Sequence, residues 1–334
     1  MKQLKYLLAV VDNGMNITAA AESLYTSQPG ISKQLRQLET EIGVRLFSRS
    51  GRVLTGLTPA GISVVDYARN IARDVTNIHS LGQELSLRES GRLAIATTHT
   101  QARYVLPPVL KQFHERYPKV EIELHQGTSE QIATLVADDR IDIAIATESR
   151  ELFPGLNLLP CFRWDRIVLA PKTHALAASR KSLTLAELAE HPLITYVFNS
   201  DRQSSFLASF GEAGLEPRVV FTARDADVIK TYVRMGMGAG IIAPMALQCD
   251  DLEDLHAINA ADLFPRVTTW LGVRRDRVFR SYMKDFVALF APEWPARSIE
   301  DAATAESQTT VDEIAASIRL PLRNGCTAGL ESVA

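Results

Sequence analysis

The first 42 residues repeat apolar side chains every three or four positions, which is the period of a helix buried on one side. Three such stripes follow one another, over Leu4–Val11, Ile17–Leu24 and Ile31–Leu38. Asn16 and Ser27 precede the second and third stripes, and both residue types favour helix N-caps because their side-chain oxygens accept free backbone N–H groups. The pattern predicts a small three-helix core with a tight corner before the third helix.

The outward positions of the third predicted helix are polar or cationic. Gln28, Ser32, Lys33 and Arg36 stand between its inward positions, and Pro29 occupies the first turn, where a missing N–H is tolerated. Amide, hydroxyl and cationic groups can hydrogen-bond base edges in the major groove and DNA phosphates. Two helices joined in this way form a helix-turn-helix. The pattern alone leaves an ordinary amphipathic helical hairpin as an equal alternative.

A short hairpin is predicted after the third helix. The apolar runs Val44–Phe47 and Val53–Leu54 flank a basic turn that contains Arg49 and Arg52. We interpret it as a wing whose arginines meet phosphates or the minor groove; loop arginines that only face solvent are the alternative. The candidate DNA-contacting residues are therefore Ser27, Gln28, Pro29, Ser32, Lys33, Arg36, Arg49 and Arg52.

A long helix is expected from about Pro59 to Leu87, because Thr58 can cap it and no further proline interrupts it. Its apolar residues alternate at spacings of four and three, which is typical of a coiled-coil seam. The stripe consists of Val64, Ala68, Ile71, Val75 and Ile78. We therefore expect a homodimer or homotetramer whose paired heads read separate half-sites. The alternative is a long helix docked on the C-terminal part of its own chain.

From Arg92 onward the pattern changes to short apolar strands that alternate with helices, which predicts an α/β fold with parallel sheets covered by helices. The predicted strands cover residues 93–96, 120–124, 141–146, 167–170, 193–196, 219–222, 240–243 and 268–273. A final helix is predicted over Val278–Phe290. Past Pro295 the chain is small and polar up to Gln308, so we expect a flexible tail, followed by a short helix over Val311–Ile318.

Charge is unevenly distributed along the 334 residues. The whole chain has a net charge of −3, whereas residues 1–58 carry seven Lys or Arg against four Asp or Glu. A small basic head on an acidic body fits contact between that head and DNA. The N-terminal apolar run ends at Asp12 without a cleavage site, and no stretch approaches the ~18 apolar residues of a membrane span. We therefore expect a cytoplasmic protein.

The chain offers little for catalysis or metal binding. Cys161, Cys249 and Cys326 lie far apart without accompanying histidines, so neither a metal site nor a disulfide framework is indicated, and we expect reduced thiols. No nucleophile–base pair or phosphate loop is recognisable. We predict no catalytic residues, no metal and no cofactor.

The segment Thr97–Tyr104, with the sequence TTHTQARY, follows a predicted strand and precedes a predicted helix. In open α/β sheets ligands bind at this end of the strands, and free N–H groups at a helix start favour anions. The hydroxyls of Thr98 and Thr100 and the amide of Gln101 add neutral donors. The segment therefore predicts a site for a small anion; the alternative is that the threonines only cap the helix.

The head resembles a known family. Residues 18–61, TAAAESLYTSQPGISKQLRQLETEIGVRLFSRSGRVLTGLTPAG, are similar over their whole length to the N-terminal winged helix-turn-helix of LysR-type transcriptional regulators, including the Ser-Gln-Pro corner and the Leu-Thr-Pro-Ala-Gly exit. The resemblance implies a winged helix-turn-helix over 1–58, a linker helix over 59–90, a two-lobed periplasmic-binding-protein-like effector domain over 91–292 and a tail over 293–334. Lobe one would take 91–162 and 267–292, and lobe two 163–266.

The body resembles the sulfur-metabolism members of the same family, through TTHTQARY, Asp225–Ala243 and Ala146–Glu148. The resemblance implies that Thr98, Thr100, Gln101 and Thr147 bind an effector anion, with Ser200 supplying a further hydroxyl. The implied partners are promoter or operator duplex DNA and a small anionic effector of the sulfate, thiosulfate or acetylserine type.

We therefore predict a regulator of sulfur assimilation and cysteine biosynthesis. Two alternatives stay open at this point. One is a regulator of sulfonate or other anion use, and the other is an anion-binding α/β protein that does not contact DNA.

Overall fold

The computed structural model describes residues 2–51, 53–85, 90–147, 150–178, 182–197 and 204–326. The chain forms two compact units, residues 1–88 and 89–334, called the head and the body below. The head contains the helices α1 (Lys2–Asp12), α2 (Ile17–Ser23), α3 (Gln28–Ile42) and α4 (Pro59–Leu85) and the strands β1 (Phe47–Ser50) and β2 (Val53–Leu57).

The predicted three-helix core of the head is confirmed. Asn16 accepts backbone hydrogen bonds from Thr18 and Ala19 at the start of α2, and Ser27 accepts one from Gly30 at the start of α3. Gly43 ends α3 in the left-handed conformation, at φ 80°. The apolar stripes of the three helices meet in one core together with Leu46, Phe47 and Leu54 from the wing region.

The long helix α4 divides its apolar residues between two environments. Val65 and Ala68 are buried in the head core, and Val64 packs against them. The interpretation of Ala68 as part of a seam facing another chain is therefore wrong, because the head core covers it, whereas Val64 is only half-buried. Two other residues of the predicted seam, Ile71 and Ile78, are exposed. Ile62, Tyr67 and Leu81 of the same helix are exposed as well.

The described residues of the body form ten strands. They are β3 (Gly91–Thr97), β4 (Val120–Gln126), β5 (Ile143–Thr147), β6 (Leu156–Trp164), β7 (Ile167–Pro171), β8 (Leu193–Tyr196), β9 (Val219–Ala223), β10 (Ala239–Ile242), β11 (Leu255–Asn259) and β12 (Val267–Arg274). Its α-helices are α5 (Leu106–Arg116), α6 (Ser129–Ala137), α7 (Ala175–Ala178), α8 (Leu185–Ala189), α9 (Ser205–Glu212), α10 (Ala226–Arg234), α11 (Ser281–Phe290), α12 (Ala296–Ala303) and α13 (Gln308–Ala315).

These strands form two five-stranded sheets, one in each lobe of the body. Lobe one has the order β4-β3-β5-β12-β6, and lobe two has the order β11-β7-β10-β8-β9. The predicted α/β class is confirmed, but the expectation of purely parallel sheets is wrong. β12 pairs antiparallel with both β5 and β6, and β7 pairs antiparallel with β10 and β11. The chain crosses between the lobes after β6 and again before β12, and the returning strand runs opposite to its neighbours.

The first helix of the body differs from the prediction. The sequence predicts a single helix over Arg103–Tyr117, whereas the structure has a π-helical turn over Gln101–Val105 that leads into α5 at Leu106. Pro107 and Pro108 stand in the first turn of α5 and supply no N–H groups, which separates the two helical segments. Single π-turns inside helices are frequent at functional sites.

The expectation of a flexible tail is wrong for the residues that the structure describes. Helices α12 and α13 pack on lobe one, with Ile299, Ala302 and Val311 buried in its core. The buried side-chain amide of Asn157 donates hydrogen bonds to the backbone oxygens of Ala302, Ala303 and Ala305. Small residues in this segment therefore indicate close packing, since alanines allow the helix to approach the sheet.

The cysteines also differ from the prediction. Cys249 and Cys326, which are 77 residues apart in the sequence, form a disulfide, whereas Cys161 is a buried free thiol. The expectation of three reduced thiols is wrong because tertiary folding brings Cys326 next to Cys249 of lobe two. Within the described part of the chain, no helix is both long and apolar enough to cross a membrane.

Candidate functional site

The outer face of α3 presents the side chains that the sequence singled out. Gln28, Lys33 and Arg36 are exposed, and Ser32 is half-buried and accepts a 3.2 Å hydrogen bond from the Gln28 amide. Among the described residues of the head, no carboxylate lies within 4.0 Å of the cationic groups of Lys33 or Arg36. This face therefore offers an amide, a hydroxyl and two cations to a groove.

The corner before α3 carries a further exposed group. Ser27 and Pro29 are exposed at the helix start, and Tyr25 has 98% of its surface exposed. Tyr25 also adopts a left-handed backbone conformation, at φ 48°, which is uncommon for a bulky residue. Sequence reasoning missed Tyr25, although its place between two helical stripes is the signal that could have identified it.

Glu39 of α3 organises the wing. Its carboxylate accepts hydrogen bonds from the backbone N–H groups of Leu46 and Phe47 at 2.9 and 3.2 Å. It also pairs with the guanidinium of Arg49 at 2.9 Å. Arg49 is thus held to α3 in this structure, which positions the wing. Arg52, the other predicted wing contact, lies outside the described residues.

A cleft of about 170 Å³ opens between the two lobes of the body. The structure brings four of the five predicted effector residues to its wall, namely Thr98, Thr100, Gln101 and Thr147. Ser200, the fifth, lies outside the described residues. Thr98 follows the carboxyl end of β3, and Gln101 begins the π-turn, so the anion-favouring helix start predicted from the sequence faces the cleft.

Gln101 is buried in the wall of the cleft with an incomplete set of hydrogen bonds. Only 1% of its surface is exposed; its amide nitrogen lies 3.4 Å from the hydroxyl of Thr269, and its amide oxygen has no partner among the described residues. The hydroxyl of Thr269 also accepts a hydrogen bond from the Trp164 indole at 3.2 Å. A buried polar atom without a partner is costly, and a ligand that completes the set removes that cost.

Tyr196 reaches from lobe two to the wall of lobe one. Its hydroxyl accepts hydrogen bonds from the Thr100 hydroxyl and from the backbone N–H of Ala243, both at 3.3 Å. Burial raises the pKa of Tyr196, so the phenol stays protonated around neutral pH and keeps one O–H to donate. The residue therefore joins the two lobes beside the predicted anion site.

Two arginines of the cleft were missed by sequence reasoning. Arg166 lies in the crossing between the lobes; it is 9% exposed, donates to the Ser205 hydroxyl at 2.8 Å and lies 5.8 Å from the Trp164 ring. Arg224 lies in the turn between β9 and α10 and is exposed. The signal for Arg166 was weak because β6, the strand that precedes it, was not predicted. The remaining lining residues include Gly127, Thr128 and Ser129 at the start of α6.

A charged network joins the lobes beside the π-turn. Asp227 of lobe two accepts a hydrogen bond from the Tyr104 hydroxyl at 2.6 Å and pairs with Arg103, both of which belong to lobe one. The ammonium of Lys230, which is 2% exposed, contacts the carboxylates of Asp227 at 3.0 Å and Asp251 at 2.8 Å. Burial alone would raise the pKa of Asp227, but hydrogen bonds from Tyr104 and Lys230 outweigh it and lower the pKa.

Comparisons with known proteins identify the family to which both the head and the body belong. A family model described as "Bacterial regulatory helix-turn-helix protein, lysR family" matches residues 1–62, and one described as "LysR substrate binding domain" matches residues 87–295. The transcriptional regulator CysB of Haemophilus influenzae is 41% identical over 320 residues, which are 96% of this chain and 98% of that protein.

Two further relatives cover the body. The transcriptional regulator SsuR of Burkholderia cenocepacia is 42% identical over 291 residues, which are 87% of this chain and 94% of that protein. The crystal structure of the cofactor-binding domain of the Cbl transcriptional regulator superposes with a TM-score of 0.60 at 40% identity, covering 65% of this chain and 95% of that one. The chain belongs to the LysR family of transcriptional regulators.

Proposed function

We propose that this regulator controls genes of sulfur assimilation and cysteine biosynthesis, and that a small anion or an acetylserine-type molecule bound between the lobes is its effector. The observation that carries the proposal is the wall of the cleft, where neutral donors converge on a helix start and the buried Gln101 lacks a partner for its amide oxygen. The similarity to CysB and SsuR favours the sulfur pathway. The proposal assigns the chain a regulatory role and no catalytic one.

The anion would be held mainly by uncharged donors. The hydroxyls of Thr98, Thr100 and Thr147 line the cleft, and a rotation of the Gln101 amide by half a turn would present its NH₂ group to the ligand, while the Thr269 hydroxyl donates to the amide oxygen. Neutral donors at a helix start bind a fully ionised oxyanion without a counter-charge. We propose that Ser200 adds a hydroxyl to this set.

The cleft also favours a second candidate, a regulator of sulfonate or other organic anion use. Its volume of about 170 Å³ leaves room beyond one tetrahedral oxyanion, and the Trp164 and Phe206 side chains line it with apolar surface. Arg224 adds a cation on the side of lobe two. An organic anion would place its headgroup on the threonines and its remaining atoms against these rings.

The effector proposal is tested by titrating sulfate, thiosulfate, O-acetylserine, N-acetylserine and an alkanesulfonate into the full chain, following thermal stability and tryptophan fluorescence. Thr98→Val, which removes one hydroxyl of the cleft and leaves the Thr100–Tyr196 hydrogen bond in place, is expected to weaken binding of the responding ligand about 10-fold, as for loss of a hydrogen bond to a charged group. Thr134→Val is the matched control, since the exposed Thr134 hydroxyl of α6 bonds only its own helix at Glu130 in the structure. No response to any of these ligands would contradict the proposal.

We propose that the head binds duplex DNA of a promoter or operator through Ser27, Gln28, Pro29, Ser32, Lys33 and Arg36, with Arg49 and Arg52 of the wing near the backbone. The protein would act in the cytoplasm, where this DNA lies. The test is a gel shift with the upstream region of the regulator's own gene, with and without the effector. Lack of retardation at modest salt under both conditions would leave only an anion-binding body.

We propose that the active species is a homodimer or homotetramer. Ile71, Ile78 and Leu81 are exposed on the long helix α4, and an apolar stripe in water favours association with a second copy. Paired heads would read two half-sites, and an effector that binds one arrangement of the lobes more tightly would shift how these heads meet DNA. Sedimentation equilibrium of the full chain gives the oligomeric state directly.

A further inference from the structure

The last described residues cross from one lobe to the other. Residues 321–326, called the C-terminal strap here, begin on lobe one, where the backbone N–H of Arg163 donates to Pro321 at 2.9 Å and Arg323 donates to the backbone oxygen of Arg163 at 2.8 Å. The strap ends on lobe two, where the backbone N–H of Cys326 donates to Leu247 at 3.2 Å. It therefore spans the region where the chain passes between the lobes.

The strap fits closely against lobe two. A Cβ atom added to Gly325 would lie 1.8 Å from the backbone oxygen of Pro244, so only glycine permits this approach. The Arg323 guanidinium lies 4.3 Å from the centre of the Phe162 ring on lobe one. The disulfide between Cys249 and Cys326 then joins the end of the strap covalently to lobe two.

Both anchors of the strap adjoin the wall of the effector cleft. Arg163 precedes Trp164, which lines the cleft, and Pro244 follows Ala243, which also lines it. A change in how tightly the strap is held thus acts on one wall residue in each lobe. The strap contacts residues next to the lining of the cleft and supplies none of the lining residues itself.

The disulfide is accessible to solvent. Cys249 is exposed and Cys326 is half-buried, whereas the unpaired Cys161 is buried. Disulfides of proteins that act in a reducing compartment on DNA are usually transient and redox-sensing, because thiol reductants there open accessible bonds.

We propose that Cys249 and Cys326 form a thiol–disulfide switch, in which oxidation fastens the C-terminal strap across the two lobes and reduction releases its end from lobe two. Oxidation removes one proton from each thiol, forms the S–S bond and passes two electrons to a small disulfide such as glutathione disulfide, which becomes two thiols. In the reverse direction one thiol of a dithiol reductant attacks the Cys249–Cys326 bond and forms a mixed disulfide. The second thiol of the reductant then displaces the protein thiol, and the reductant leaves as a disulfide. The redox state then alters the affinity of the cleft; this last step rests on the proposed function.

The covalent part is tested on the full chain equilibrated in glutathione buffers of graded potential, quenched in acid, denatured and alkylated for intact-mass measurement. The oxidised protein is expected to carry one alkylated thiol and the reduced protein three. Cys249→Ser and Cys326→Ser should each abolish the transition, whereas Cys161→Ala should keep it. Three alkylated thiols at every potential would overturn the proposal.

The strap itself is tested by hydrogen exchange, which does not depend on any ligand. Backbone amides of residues 322–326 should exchange about ten-fold faster in the reduced protein and in Cys249→Ser than in the oxidised protein, with helix α5 unchanged as an internal control. Equal exchange of the strap in both redox states would overturn the role of the disulfide in holding it.

The link to the cleft is tested with sulfate as the probe, by its effect on tryptophan fluorescence in the oxidised and reduced protein. A three-fold or larger change in sulfate affinity, absent in Cys249→Ser, supports the switch. Identical affinities would overturn the coupling while leaving the effector proposal intact. Absence of sulfate binding in both redox states counts against sulfate as the effector, and the measurement is then repeated with the ligand of the proposed set that responds. The exchange experiment decides about the strap in either case.

Discussion

The face of α3 and the cleft of the body obtain their polar groups in different ways. On α3, the residues from Gln28 to Arg36 are consecutive in the sequence, and helical spacing alone places the polar ones on the outside. The cleft takes its wall from separate segments of both lobes, from Thr98 to Ala243, which only the folded sheets bring together. A local surface of this kind tolerates changes elsewhere in the chain, whereas the cleft depends on everything that sets the distance between the lobes.

Among the substitutions that distinguish the two regions, Lys230→Met is expected to have the largest effect, on the unfolding free energy of the body. Lys230 is buried between Asp227 and Asp251, and its removal takes from the buried Asp251 carboxylate one of its two cationic partners, the other being Arg234 at 2.8 Å. We expect the body to lose about 3 kcal/mol of unfolding free energy, the lower end of the range for one half of a buried ion pair, because Arg234 stays in place. Urea unfolding followed by tryptophan fluorescence reports the body alone, since Trp164, Trp270 and Trp294 all lie in it.

Lys111→Met is the matched control for that experiment, because Lys111 is an exposed lysine on helix α5. We expect it to change the free energy of unfolding by less than about 0.5 kcal/mol. Equal losses for the two variants would show that the network at Lys230 contributes nothing particular to the body.

A smaller effect is expected on the side of the head, for Lys33→Ala. The exposed ammonium of Lys33 lies on the outer face of α3, so its loss should weaken DNA binding about 5–10-fold, or roughly 1–1.4 kcal/mol, and reduce the salt dependence by about one ion. The measurement is a gel-shift titration at several salt concentrations. Lys5→Ala, an exposed lysine of α1, is the control, and an identical loss for both would indicate only a general charge effect.

The smallest expected effect is a pH dependence that belongs to the body. The lowered pKa of Asp227 means that its carboxylate stabilises the folded state above its unfolded pKa of about 3.9, and that this contribution is lost as pH falls through the lower folded value. Asp227→Asn should therefore destabilise the body at pH 7 and converge with the unmodified protein in acid. A constant difference between the two proteins from pH 7 to pH 3 would contradict this assignment.

Sequence reasoning was accurate where one segment decides the outcome. The caps at Asn16 and Ser27, the apolar stripes of α1 to α3 and the threonine-rich turn after β3 are all local, and the structure has them where they were predicted. The resemblance assigned Thr147 to the same site as Thr100, and the structure has Thr147 at the end of β5 and Thr100 just after β3, its parallel neighbour, with both residues lining the cleft. The carboxyl ends of parallel neighbouring strands meet at one edge.

Sequence reasoning failed where the outcome depends on long-range pairing. β6 was not predicted, so the position of Arg166 at the crossing between the lobes could not be inferred, although its side chain lines the cleft. The polar composition after Pro295 suggested flexibility. In the structure α12 is ordered because its apolar residues pack on the core of lobe one and Asn157 donates hydrogen bonds to its backbone. No sequence motif or spacing predicts the disulfide between Cys249 and Cys326, because the two residues are 77 positions apart.

Two kinds of surface in this regulator, the cationic helix face and the hydroxyl-rich turn at a strand end, follow from local sequence, because each consists of nine or fewer consecutive residues whose placement is set by backbone geometry. Folding of the whole body was needed to fix which strands run antiparallel, which arginines enter the cleft and where the last described residues lie. Those outcomes depend on side chains that are far apart in sequence and become neighbours only when the two sheets and their crossings form, so their partners cannot be read from local pattern.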